Sequence, residues 1–318
     1  MLNEELSREQ QTDFLNLNIF WKILWRSKLF ILSLTSVFAV ASVVFAILLP
    51  DVYRSSVIVA PVSNIANNAN LNGITGRLGG LASLAGVNLN GANGQNNAAI
   101  ATQLMKTWDF LEMVVRKHSL EVSLFAATGW DRRKNKLLID PEIYNSEESR
   151  WVRDYDASLG ETPEPSSWEL YKVFKEKIYV KEDEVTGLLT ISVEHYSPSQ
   201  AKEIVDILLK EINLLMQRKD REQAIKTLGY LNQKLEKTLV SDMRMIFYQL
   251  IEEQTKKLML TEVEDEYVFK ILSPAKVPVE KSKPMRALIC ILITFFGFII
   301  SVVLVVLRNY ARNLESTL

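Results

Sequence analysis

The sequence predicts a two-span membrane protein whose outer domain mixes helices and strands. Three observations predict it: a long uncharged apolar run near each end, short alternating β-branched stretches between them, and a proline-free stretch with apolar residues at helical spacing.

The apolar runs are Leu29 to Leu49 and Ala287 to Leu307, each 21 residues long and free of charge. At 1.5 Å per residue each reaches about 30 Å, the hydrocarbon thickness of a bilayer. Ala39-Val40-Ala41 resembles a signal-peptide cleavage site. The run continues past it, however, and exceeds the ~7–15 residues of such a segment. Trp21 and Trp25, one helical turn apart, suit an interfacial belt, so the run reads as an uncleaved anchor. Lys22, Arg26 and Lys28 precede it, while Asp51 and Arg54 follow. Positive flanks stay inside, which predicts cytoplasmic termini and an outer middle. The expected divisions are a tail 1–28, span 29–49, outer domain 50–286, span 287–307 and tail 308–318.

Composition limits the function. A net charge of −1 over 318 residues gives no basic stripe for nucleic acid. Cys290, the one cysteine, lies in the second span, so the outer domain holds no disulfide.

Within the outer domain, 53–61 (YRSSVIVAP) alternates as a strand. Residues 64–97 carry ten Asn, seven Gly and one charge, Arg77, and predict a flexible loop with an apolar middle, GRLGGLASLAGVNL. It lacks the Gly-Lys-Ser/Thr ending of a phosphate loop. Residues 98–118 read as a helix with Ile100, Leu104, Leu111 and Val115 on one face, and 129–167 as loop-rich with Trp130 and Trp151. A hairpin is expected over 177–196, turning at Val185-Thr186-Gly187. Ser197-Pro198-Ser199-Gln200 then combines an N-cap serine, proline at the first helical position and glutamine three residues after the cap. It predicts a helix over 198–265, about 100 Å long if unbroken, with Gly229 as the place for a bend. Leu228, Leu231, Leu235 and Leu239 form a stripe on it, for packing within the chain or against other copies. A strand at 267–272 follows, and Pro274, Pro278 and Pro284 make 274–286 a semi-rigid link to the second span.

No catalytic constellation emerges. His118 and His195 are far apart and lack neighbours at metal-ligand spacing, so neither metal nor cofactor is expected. The acidic runs Glu182-Asp183-Glu184 and Glu262-x-Glu264-Asp265-Glu266 read as solvated faces. The basic group Arg132-Arg133-Lys134-x-Lys136 fits an ordinary solvated surface, or a contact with anionic sugars or lipid headgroups. The eleven residues after the second span are too few for a kinase or signalling domain.

In order along the chain, Ile23-Leu24-Trp25-Arg26, YRSSVIVAP, GGLASLAG, TGLLTISVEHYSPSQA, YLNQKL, LIEEQTKKLMLTEVEDEYVF and SPAKVPVEKSKPMRALI resemble the polysaccharide co-polymerases, the Wzz chain-length determinants, over roughly 17–310. The resemblance implies an α+β fold: a small mixed sheet at a membrane-proximal base, a very long projecting helix, and two flanking spans. It also implies a bacterial inner-membrane homo-oligomer that sets the modal length of a surface polysaccharide. Its partners would be a polymerase, the lipid-linked glycan and the bilayer, and it would have no catalytic residues. The family's proline segment carries over onto Pro274, Pro278, Pro284 and Arg286, with looser spacing than in some members. An export component pairing with a separate tyrosine kinase is the alternative. A two-span receptor and a periplasmic enzyme rank below it.

Overall fold

The computed structural model describes residues 25–62, 93–263 and 265–315, and the chain divides into two units: 1–50 with 283–318, and 51–282. Expectations for the tail before Trp25 and for 63–92 of the Gly/Asn-rich segment lie outside the described residues.

The first unit pairs α1 (Lys28–Leu48) with α7 (Arg286–Glu315). Helix α1 and the Arg286–Arg308 part of α7 are each long and apolar enough to cross a membrane. Helix α7 continues to Glu315 rather than ending at the apolar run, because Arg308 to Glu315 contains no helix breaker. Small residues let the two helices meet. Ser42, Ala46 and Ser301 are buried, and a Cβ at Gly297 would stand 2.5 Å from Phe38 Cβ and Cγ. Without a hydrophobic drive between helices in lipid, such close backbone approach supplies the contact. Gly297→Leu is therefore expected to cost about 1–3 kcal/mol by overpacking and to lower the thermal midpoint in neutral detergent. An unchanged midpoint would show that the helices do not meet there.

The second unit is built on a four-stranded sheet of order β6–β7–β1–β8, with β1 at Tyr53–Pro61, β6 at Ile178–Glu182, β7 at Leu189–His195 and β8 at Phe269–Ser273. Every pairing is antiparallel, so the sheet is not the mixed one expected. Hairpin connectivity joins β6 to β7 through a short turn in which Gly187 takes φ +66° and Asp183 accepts the amides of Val185 and Thr186. Strand β8 starts two residues later than the expected 267, and the Val268 amide before it donates to the Asn213 side chain instead of a neighbouring strand.

Alternation decides the two sheet faces. Val57 and Val59 pair with Ile191 and Leu189 and are buried, while Arg54, Ser56 and Ile58 point the other way. Helix α5 (Pro198–Lys237) crosses the buried face with Ile204, Leu208 and Ile212. Asn213, buried on α5, fixes its position: its Nδ2 donates to the Phe269 carbonyl and its Oδ1 accepts the amides of Val268 and Phe269. All three bonds satisfy groups that burial would otherwise strand.

Helices α2 (Asn93–Leu104) and α3 (Trp108–Lys117) complete the core. The single helix expected over 98–118 is thus two, because Thr107 takes the extended conformation of a helix start (φ −77°, ψ 152°). The break turns the faces. Ala98, Ala101 and Met105 are buried, whereas Ile100, expected inside, is 43% exposed. Asn93 to Asn97 is helical rather than loop.

The region expected to be loop-rich holds more structure than that. A hairpin joins β2 (Ala127–Asp131) to β3 (Lys136–Ile139), and a smaller one joins β4 (Tyr144–Asn145) to β5 (Arg150–Trp151); α4 (Ser167–Lys177) begins where that region ends, over a stretch for which no element was expected. Helix α4 begins at a full capping box between Ser166 and Glu169.

The segment 198–265 departs furthest from the single helix expected. It is two helices, α5 and α6 (Ser241–Val263), interrupted at Thr238–Val240 and not at Gly229. The chain folds back: Lys257 Nζ lies 3.1 Å from Asp220, and Arg221 lies 3.8 Å from Glu262. Thr238 is extended (φ −99°, ψ 120°), and the reversal lets one stripe cover the other. Ala224, Leu228, Leu231 and Leu235 recur at four and three residues on α5, as do Phe247, Ile251, Gln254 and Leu258 on α6. These are the more buried positions of their helices, as in an antiparallel coiled-coil seam. At 40 residues α5 is about 60 Å long, so the hairpin runs on well beyond the sheet-packed segment that ends near Met216.

Candidate functional site

Both histidines and the buried carboxylates of the second unit have structural partners. His195, at the end of β7, is 1% exposed; its Nε2 lies 2.9 Å from the Ser123 carbonyl and its Nδ1 accepts the Ser197 amide. Burial, with Lys177 nearby, lowers its pKa to about 4, so it is neutral at physiological pH. His118 closes α3 and bonds Glu211 through Nε2 at 3.0 Å, while Lys117 reaches both oxygens of the same carboxylate at 2.8 Å. Burial of Glu211 opposes its charge, but these two partners outweigh it and hold the carboxyl below its usual range. Glu169 is lowered to about 2 by Arg153, against burial and with help from Ser166. Glu194, also buried, takes Arg54 at 2.6 Å and Tyr179 at 3.1 Å. These acids tie elements together.

The acidic runs are separate from one another and from the histidines' partners. Asp183 caps its own turn, and Glu262 faces Arg221. Glu264 lies outside the described residues. Among the described residues no three His, Cys, Asp or Glu groups come together to hold a metal.

The site residues expected from the sequence lie on two surfaces. The first is the far end of the α5–α6 hairpin. Of the leucine stripe, Leu231 is 6% exposed and Leu228 and Leu235 are half-buried against α6, whereas Leu239 sits in the reversal and is 95% exposed. Val240, Met243, Met245, Ile246 and Tyr248 are exposed beside it. An apolar concentration at the tip of a projecting hairpin marks an interaction surface more than a folding need. Sequence periodicity found the stripe, but it did not separate the three leucines α6 covers from the one left open.

The second is the strand-to-span link. Pro274 is exposed and Pro278 half-buried, following β8 without regular structure. Ser282 donates its amide to the Val52 carbonyl and Lys281 pairs with Asp51 at 3.1 Å, so the link closes against the start of β1. Pro284 and Arg286 belong to the other unit, where Arg286 opens α7 and reaches the Leu49 carbonyl at 3.4 Å. The four residues expected to act as one motif are therefore divided between the units.

Residues 13–118 match the family model Wzz, chain length determinant protein, which bears out the family resemblance over α1, β1, α2 and α3. Among solved structures, the chain is similar to a full-length bacterial polysaccharide co-polymerase at 11% identity, covering 95% of this chain and 99% of that one with a TM-score of 0.40. It is also similar to a fragment of WzzB, polysaccharide co-polymerase from Salmonella Typhimurium, at 11% identity, covering 74% and 100% with a TM-score of 0.29. No curated protein matches it.

Proposed function

We propose, from the match of residues 13–118 to the Wzz chain length determinant family model, that this chain is a non-enzymatic regulator of the modal length of a cell-surface polysaccharide. The family match carries this reading. It works in the bacterial inner membrane, through α1 and α7, with the 51–282 unit in the periplasm and both termini in the cytoplasm. It acts as a homo-oligomer beside a polysaccharide polymerase and its lipid-linked glycan.

The geometry supports this division of labour. Each buried acid and each histidine described above is engaged in holding the fold, which favours a role through shape. The exposed apolar tip around Leu239 suits contact with a second copy, since it is the part of the hairpin that α6 leaves uncovered. Control of length is read on a gel of surface polysaccharide from a strain lacking the chain, where polymer persists but its modal band does not.

Orientation has its own test. With Cys290 replaced by serine, a cysteine at Val185, which is 95% exposed, is expected to react with a membrane-impermeant thiol reagent in spheroplasts, and one at Ser316 is not. Equal labelling of both positions would contradict a periplasmic 51–282 unit.

A further inference from the structure

The β2–β3 hairpin carries Arg132, Arg133, Lys134 and Lys136 on six residues whose one carboxylate is Asp131. All four cations are exposed, and among the described residues none makes an ion pair. Asp131 is occupied locally, accepting the amides of Arg133 at 2.8 Å and Lys134 at 3.3 Å. Like charges crowded on one turn repel, and no described side chain pairs with them.

The cluster adjoins a concavity. Tyr53, Trp130, Arg132, Asn135, Ser199 and Pro278 are among the walls of a cavity of about 300 Å³. Trp130 meets Tyr53 edge-on at 5.5 Å, and its Nε1 donates to Asn135 Oδ1 at 3.2 Å. That bond leaves the Asn135 amide nitrogen as a donor. The site thus combines an aromatic wall, a guanidinium and an amide in a space that fits one sugar ring. Mostly apolar walls with a few placed polar groups are the ordinary make-up of a ligand site.

We propose that this groove holds one acidic sugar residue of a glycan. The carbon–hydrogen face of the ring lies on Trp130, its carboxylate or phosphate meets Arg132, and a ring hydroxyl accepts from the Asn135 amide. Arg133, Lys134 and Lys136 attract neighbouring acidic residues along the chain. An anionic membrane surface would satisfy the cations too, but it has no use for the concavity, the indole or the amide. The inference rests on the polysaccharide reading above and adds the class of sugar to it.

The test is calorimetric titration of the full chain in neutral detergent at low salt. The probes are a hexamer of α-1,4-linked galacturonic acid, maltohexaose as its neutral counterpart, and phosphatidylglycerol vesicles. The acidic hexamer is expected to bind at least about tenfold more tightly than maltohexaose. Trp130→Leu, Arg132→Gln and Asn135→Gly are each expected to weaken it by about tenfold. Arg132 and Asn135 are exposed, and glycine keeps the positive φ of Asn135, so those two variants retain the fold even if Trp130→Leu lowers stability. No binding of the hexamer would overturn the proposal, as would equal binding of maltohexaose. Binding that ignores Trp130→Leu and Asn135→Gly would reduce the site to bulk charge. Vesicle binding abolished by Arg132→Gln, with no preference among the sugars, would assign the cluster to the membrane instead. A chain that fails this titration yet is needed for the modal band would lose the sugar site and keep its regulatory role.

Discussion

Leu231→Asp is expected to unfold the α5–α6 hairpin while leaving polymer synthesis running. Leu231 is 6% exposed in the seam, and a carboxylate there has no cation within the stripe formed by Ala224, Leu228 and Leu235. Burying an uncompensated charge and losing the leucine contact together cost several kcal/mol. The hairpin beyond Met216 has no sheet beneath it, so the seam supplies its main support. Limited proteolysis should then cut α6 rapidly, and the surface-polysaccharide distribution should broaden. Leu239→Asp is the contrast. At 95% exposure it should leave proteolysis unchanged and alter only the size of the assembly, measured by mass photometry in mild detergent. If Leu231→Asp has no effect on proteolysis, the helices do not pack through this seam.

The second large effect is a loss of stability on mild acidification. Burial lowers His195 from 6.5 to about 4 in the folded chain. Protonation would also place a hydrogen on Nδ1, opposite the Ser197 amide that donates to it. Because the folded pKa is depressed, the stabilisation is complete above the unfolded value of about 6.5 and is lost as pH falls toward 4. The full loss amounts to about 3 kcal/mol. Glu169, lowered from 4.5 to about 2, adds its own loss only below about 4.5. Between pH 6.5 and 4.5 the decline thus comes from His195. The thermal midpoint of the full chain in neutral detergent should fall over that interval. His195→Gln, which keeps a donor and an acceptor, should flatten the profile. Parallel profiles for both proteins would show that the imidazole titrates normally.

Much of this fold was legible where local signals and tertiary packing agree. Tyr53 to Pro61 alternates because one face of β1 is buried and the other is not. Ser197 and Pro198 announce the start of α5, and the Ser197 side chain accepts the Gln200 amide there. Legibility failed where the decision was tertiary. Thr238-Leu239-Val240 contains neither glycine nor proline, and the stripe beyond Gly229 would serve a partner helix in another copy as well as one folded back. The capping box Ser166–Glu169 was present in the sequence, but Pro163 and Pro165 made its surroundings read as loop. The basic hairpin was legible as a cluster. Its neighbourhood was not, since only the fold sets Trp130 against Tyr53 and beside Pro278.

If polymer length is controlled by shape, one gel shows it. Surface polysaccharide is compared from a strain lacking the chain, the same strain with the wild type restored, and the same strain with His118→Ala, at equal protein abundance. His118 is the half-exposed histidine, bonded to Glu211, and the one whose truncation disturbs packing least. Polymer without a modal band is expected in the first lane, and a restored band in both others. Absence of polymer from the first lane, or failure of His118→Ala to restore the band, would contradict length control by shape.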